Sequence, residues 1–135
     1  MAFFDWKEEY SVGIAQIDEQ HRKLVGMVNE LYEAMKAGKG NDVLGKVLTE
    51  LVQYTKTHFA TEENLFKLHG YPEAAPHKQQ HDELTARAGD LSTKFRNGEP
   101  VLSVSVSNSL KDWLQKHICG SDRKYGPFLN SKGVK

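Results

Sequence analysis

Cysteine occurs once, as Cys119, so no disulfide can close within the chain, and a reducing cytoplasm is the expected compartment. The amino-terminal MAFFDWKEEY has no basic stretch followed by an apolar core, which argues against a secretory signal. No apolar run approaches the roughly 18 residues that a membrane-spanning helix needs, so an integral membrane protein is not expected. Net charge is missing too: Lys plus Arg and Asp plus Glu both number 18, for a formal charge of zero. Without a basic field to draw phosphate backbones, nucleic acid is not an expected partner. Internal repeats and low-complexity tracts do not occur. Balanced charge and the lack of an obvious exposed apolar stripe favour a monomer.

The 135 residues are 39% hydrophobic and 27% charged, which suits one globular domain (1–135) with a buried core. Their period is helical. His21, Leu24, Val25, Val28, Leu31, Tyr32 and Met35 recur at three and four, with Asp18 as the expected N-cap and Gly38 to Asn41 as the stop. Asp42 is expected to cap a second helix striped by Leu44, Val47, Leu48, Leu51, Thr55, His58, Phe59, Glu62, Leu65 and Phe66. A third starts near Pro76 and carries His77, His81, Leu84, Ala88, Leu91 and Phe95. Leu102, Val104 and Val106 alternate with serines as in a strand, but a lone strand has no pairing partner, and Val106, Leu110, Trp113, Leu114 and His117 fit a helix. The expected fold is all-α: an antiparallel up-down four-helix bundle over about 18–126, with an N-terminal arm over 1–17 packed across it and a C-terminal tail over 127–135.

Polar residues on the apolar stripes carry the chemical information. His21, His58, Glu62, His77, His81 and His117 all point inward on these periods, and every helix contributes. An inward carboxylate without a partner is costly, and so many inward imidazoles would each need a buried partner of their own. His58 with Glu62, and His77 with His81, are four residues apart, which stacks each pair on one face about 6 Å along the axis. Imidazoles with carboxylate suit iron, zinc, copper or nickel rather than magnesium or calcium. Asp122 follows His117 by five residues, about 140° past a full turn, and so does not share its face on a regular α-helix. A π-type widening, or an early helix end at Gly120, would return it to the interior. His69, on the His58 stripe, is about 16 Å further along and reads as a helix C-terminal residue. Cys119 is about 200° around from His117 and reads as a packed thiol.

These residues resemble the hemerythrin family, in particular its single-domain bacterial members. The likeness runs through W-K-E-E-Y-S-V-G-I, I-D-E-Q-H at 17–21, H-F-A-T-E at 58–62, H-G-Y-P at 69–72, H-K-Q-Q-H at 77–81 and W-L-Q-K-H-I-C-G-S-D followed by K-Y-G-P-F-L. The resemblance implies two iron ions with an oxo or hydroxo bridge. His77, His81 and His117 would hold one iron, His21 and His58 the other, and Glu62 and Asp122 would bridge them. If both irons are six-coordinate, the count leaves one position open, on the iron with two histidines, which suits a small diatomic. Apolar neighbours, nominated as Leu24, Phe59, Trp113 and Leu114, would keep that position dry. The expected function is therefore reversible binding of molecular oxygen for carriage, storage or delivery to an oxygen-consuming protein, and not catalysis. The competing expectations are a di-iron enzyme reducing peroxide, oxygen or nitric oxide, and a sensor acting through another chain.

Overall fold

In the computed structural model, which describes residues 3–100 and 104–135, helix α1 (Ala15–Lys36) begins ahead of Asp18. The expected cap at Asp18 is corrected: the carboxylate sits inside the first turn and reaches back to the arm, accepting from Ser11 Oγ at 2.5 Å and Val12 N at 2.9 Å. Buried Ile14 and Ile17 bring the apolar stripe forward, so the arm ends at residue 14 rather than 17. Helix α2 (Asn41–His69) follows Gly40, and Asp42 lies in its first turn instead of capping it, where its charge complements the helix dipole. His69 is the last residue of α2, as its position before Gly70 implied. Gly70, at φ 69°, takes the left-handed conformation that only glycine adopts freely, and its N–H returns to the Phe66 carbonyl.

Helix α3 (Ala74–Arg96) carries Pro76 in its first turn, where the missing N–H costs nothing. Helix α4 (Val104–Lys116) settles Val106 as helical, while Leu102 lies outside the described residues. A π turn (His117–Asp122) then leads directly into α5 (Arg123–Ser131). The tail expected from residue 127 is corrected here as well. Tyr125 and Leu129 are fully buried and hold α5 helical to Ser131.

The four long helices pack antiparallel, α1 against α2 and α4, and α2 against α3. Around this square α3 and α4 approach each other least. The arm crosses the bundle: Phe4 exchanges two hydrogen bonds with Asn29, both 2.7 Å, and Lys111 Nζ donates to the Phe3 carbonyl at 2.8 Å. The apolar core has two parts. One gathers Phe4, Leu24, Val28, Leu31, Leu48, Leu51, Leu114 and Ile118; the other gathers Val12, Ile14, Ile17, Phe66, Tyr71, Tyr125 and Leu129. Along α1 the buried order is Ile17, His21, Leu24, and along α2 it is Leu51, His58, Glu62, Phe66. A polar layer therefore lies between the two apolar parts. No described helix is long and apolar enough to cross a membrane.

Candidate metal centre

All seven residues expected around a metal are buried, and they meet in that layer. Asp122 Oδ2 lies 2.9 Å from His21 Nε2, and its Oδ1 lies 2.8 Å from His77 Nε2 and 3.0 Å from His117 Nε2. Glu62 Oε1 lies 3.3 Å from His58 Nε2 and 3.1 Å from His81 Nε2. Despite these separations, the five Nε2 atoms, both Asp122 oxygens and Glu62 Oε1 make no aligned hydrogen bond. Buried donor atoms this close, with no aligned hydrogen bond between them, suit a shared cation. The donors form two overlapping sets with ligand atoms within 4.8 Å of one another: Glu62, His77, His81, His117 and Asp122, and His21, His58, Glu62 and Asp122. Only the two carboxylates belong to both.

Asp122 reaches the layer through the π turn, whose period of about five residues brings it onto the face of His117. Of the two irregularities that the spacing allowed, the widened turn is the one adopted, and the chain stays helical past Gly120.

The outer nitrogens fix the inner ones. His58 Nδ1 donates to Gln20 Oε1 at 2.6 Å, His81 Nδ1 to Glu63 Oε2 at 2.9 Å, and His117 Nδ1 to Gln80 Oε1 at 2.9 Å. Each acceptor is an oxygen, so Nδ1 carries the proton and a neutral ring turns its Nε2 lone pair inward. Tyr125 donates a short hydrogen bond to Glu62 Oε2. Sequence reasoning missed Gln20, Glu63, Gln80 and Tyr125. The first three neighbour ligand-type residues in the chain, one step of about 100° around the helix, which turns them from the centre toward the adjacent helix.

Electrostatics agree with the geometry. Burial and the Asp122 charge push Glu62 up, but His58 and His81 outweigh them and hold it at about 2. Burial likewise raises Asp122, while His117, His21 and His77 hold it well below 3.8. Burial lowers His117, and facing Asp122 more than reverses that, leaving it above 6.5. Burial, with Glu62 and Asp122 nearby, pushes Tyr125 far above 10, so its hydroxyl stays a donor. Two buried anions faced by imidazole lone pairs call for positive charge, and divalent or trivalent transition-metal ions fit this nitrogen-rich set.

Comparison with known proteins gives the same answer. Residues 12–129 match the hemerythrin HHE cation binding domain. The chain belongs to the hemerythrin HHE family. It is 34% identical over 132 residues to the bacteriohemerythrin of Methylococcus capsulatus, covering 97% of this chain and 100% of that protein. With the bacteriohemerythrin of Stenotrophomonas maltophilia it shares 37% over 125 residues, 93% of this chain and 80% of that one. A solved wild-type hemerythrin structure superposes with a TM-score of 0.89 at 35% identity, over 95% of this chain and 98% of that chain.

Beside this hemerythrin-like cluster lies a cavity of about 40 Å³. Phe59 stacks on His81 with ring centroids 3.8 Å apart, Trp113 stacks on His117 at 4.6 Å, and both rings border the cavity. Leu24 and Leu114 line it as well, so the four nominated apolar residues share one space. Its polar side chains are Thr55, whose hydroxyl is spent on the Leu51 carbonyl at 2.7 Å, and the indole of Trp113. Leu84, Ala88, Leu91, Leu110 and Trp113 separate this cavity from an open groove between α3 and α4, and line both. Cys119 lies outside both donor sets, half-buried against the larger apolar part, as its angle from His117 implied.

Proposed function

We propose that the protein binds molecular oxygen reversibly at two irons, for carriage, storage or delivery. In this reading His77, His81 and His117 would hold one iron, His21 and His58 the other, and Glu62 and Asp122 would be shared by both. Bound there, iron would supply the redox chemistry by which a small gas molecule is held. The chain's own part is to orient, to exclude water and to balance charge. Gln20, Glu63 and Gln80 hold three imidazoles with Nε2 inward, and Tyr125 pins Glu62.

The observation that carries the reading is the pair of overlapping donor sets, with an apolar cavity of about 40 Å³ beside them whose walls include Leu24, one turn from His21, and Phe59, next to His58. A space needs roughly 10–15 Å³ by this measure to admit one water, so a small gas molecule fits. Apart from Thr55, whose hydroxyl is spent, and the Trp113 indole, the cavity walls are hydrocarbon and carry no acid or base to deliver a proton, which favours binding over catalysis.

The test mixes the reduced, iron-loaded protein with oxygen in stopped flow. The expected result is two irons per chain and a visible absorption band that appears on oxygenation and disappears on degassing through repeated cycles. Rapid one-way conversion to ferric protein with consumption of added reductant would favour an oxidase instead, and a single zinc per chain would end the di-iron reading.

A further inference from the structure

Three imidazoles of the cluster have bonded outer nitrogens, and their partners differ in charge. His58 and His117 donate to the amide oxygens of Gln20 and Gln80, which are neutral; His81 donates to the carboxylate of Glu63 at 2.9 Å. Glu63 follows Glu62 on α2, and the step of about 100° turns it from the centre to the α2–α3 seam, where His81 comes to meet it. His81 is 1% exposed and Glu63 29%, so the bond lies at the inner edge of the seam and is screened only from one side. Lys78, the cation nearest in sequence to His81 on α3, pairs with Asp82 at 2.9 Å and interacts with Glu63 more weakly than with Asp82. On the far side His81 Nε2 faces Glu62 Oε1 at 3.1 Å, and its ring lies flat on Phe59, with an interplanar angle of 5°. The ring is therefore held in one orientation between two carboxylates and an aromatic face.

A carboxylate that accepts the outer N–H of a metal-bound imidazole pulls on that proton and enriches the inner nitrogen, whereas an amide does so far less. We infer that Glu63 is a positioning residue whose charge makes His81 the strongest electron donor among the five imidazoles and lowers the reduction potential of the metal held by His77, His81 and His117. The inference rests on the di-iron reading and adds to it an asymmetry: the imidazole set is electrically biased at one ring, from the protein surface.

Glu63→Gln keeps an acceptor oxygen of the same reach and removes only the charge. Spectroelectrochemical titration of the iron-loaded variant should show the ferric-to-ferrous ratio falling about tenfold at fixed potential, equivalent to about 59 mV upward for one electron. Cobalt(II) binding, followed by its visible bands, should weaken about tenfold. The converse change, Gln80→Glu, places a carboxylate on His117 and should move the potential downward, a shift that lost packing at residue 63 cannot produce. A wild-type protein that does not hold two irons overturns the di-iron reading and this inference together. Two irons in the wild type with an unshifted potential in Glu63→Gln, or a potential unchanged or raised in Gln80→Glu, overturns this inference alone.

Discussion

Replacing Gly126 with alanine should unseat the N-terminal arm and, through it, weaken the metal cluster. A Cβ at this position would lie 2.2 Å from the Val12 carbonyl oxygen and 3.2 Å from its carbon, where real Cβ contacts do not fall below 3.0 Å. The carbonyl must retreat by at least 0.8 Å, from 2.2 to 3.0 Å. Val12 has no room to give: it is buried, its N–H is tied to Asp18 Oδ1 at 2.9 Å, and buried Tyr10 and Ile14 flank it. Overpacking of this kind costs about 1–3 kcal/mol, and breaking the Asp18 bond adds about 1. At about 4 °C per kcal/mol for a domain of this size, the iron-free protein should melt about 8–16 °C lower. Gly26→Ala is the control. Nothing lies within 4 Å of a Cβ there, so the variant should gain about 0.5–1 kcal/mol by losing unfolded-state freedom. Thermal and urea unfolding of both variants decide the matter, with iron release to a chelator as the second readout, because Tyr125, next to Gly126, holds Glu62. A Gly126→Ala melting point within a degree or two of wild type, with the arm still seated, would refute the steric account.

The iron-free protein should be most stable near neutrality. Glu62 and Asp122 are held below their ordinary ranges, so the stability they contribute is present above about pH 4.5 and lost as pH falls toward about 2, for Glu62 alone of order 3 kcal/mol. His117 is raised above 6.5, so its contribution is complete below that and lost as pH climbs through the raised value; melting curves from pH 3 to 9 should show both limbs, and iron loading should remove the alkaline one. His58→Ala and His21→Ala should each release one metal and keep the other, since the five-donor set contains neither; loss of both metals, or of none, contradicts the two overlapping sets. Tyr125→Phe leaves a buried carboxylate oxygen without its donor and should cost about 1–3 kcal/mol in chemical unfolding of the iron-free protein, whereas an unchanged midpoint would make the hydroxyl dispensable.

Most of the bundle was legible because the helical period is a strong signal and each helix carries its polar ligand-type residues on the apolar stripe. Even the irregular turn could be foreseen, since a five-residue step from His117 to Asp122 has no regular solution. The helix starts were misplaced because Asp18 and Asp42 have the chemistry of caps, yet Ile14 and Ile17 were needed in the core, and tertiary packing overrode the local signal. The end was misjudged for a similar reason: α5 runs past the expected boundary at 127 because Tyr125 and Leu129 are needed in the core, and Gly126 lets Val12 approach. Gln20, Glu63 and Gln80 escaped notice because a residue one step from a buried ligand looks like any surface polar residue until the neighbouring helix is in place. Nothing in the structure explains why Gly26 and Gly89 stand inside helices, while Gly45 lies 3.2 Å, at Cβ, from the Phe95 ring.

The bundle geometry also explains why the donor sets have one apolar side and one polar side. Ligand-type residues lie on single turns of each helix, so the turns above and below must bury apolar residues to keep the stripe continuous, and the cavity walls follow from that continuity. The apolar wall that Phe59 and Trp113 set beside His81 and His117 is thus a consequence of the same periodicity that gathers the imidazoles, needing no separate device. The outer nitrogens point across the helix seams instead of along the bundle, and there Gln20, Glu63 and Gln80 are at least partly exposed. On the Gln80 side a polar pocket of about 90 Å³, lined also by Ser121 and Lys124, reaches buried His77. The seams are therefore the polar approach to the donor sets, and the cavity the apolar one. The separation holds as long as Phe59 and Trp113 stay stacked on the rings they cover.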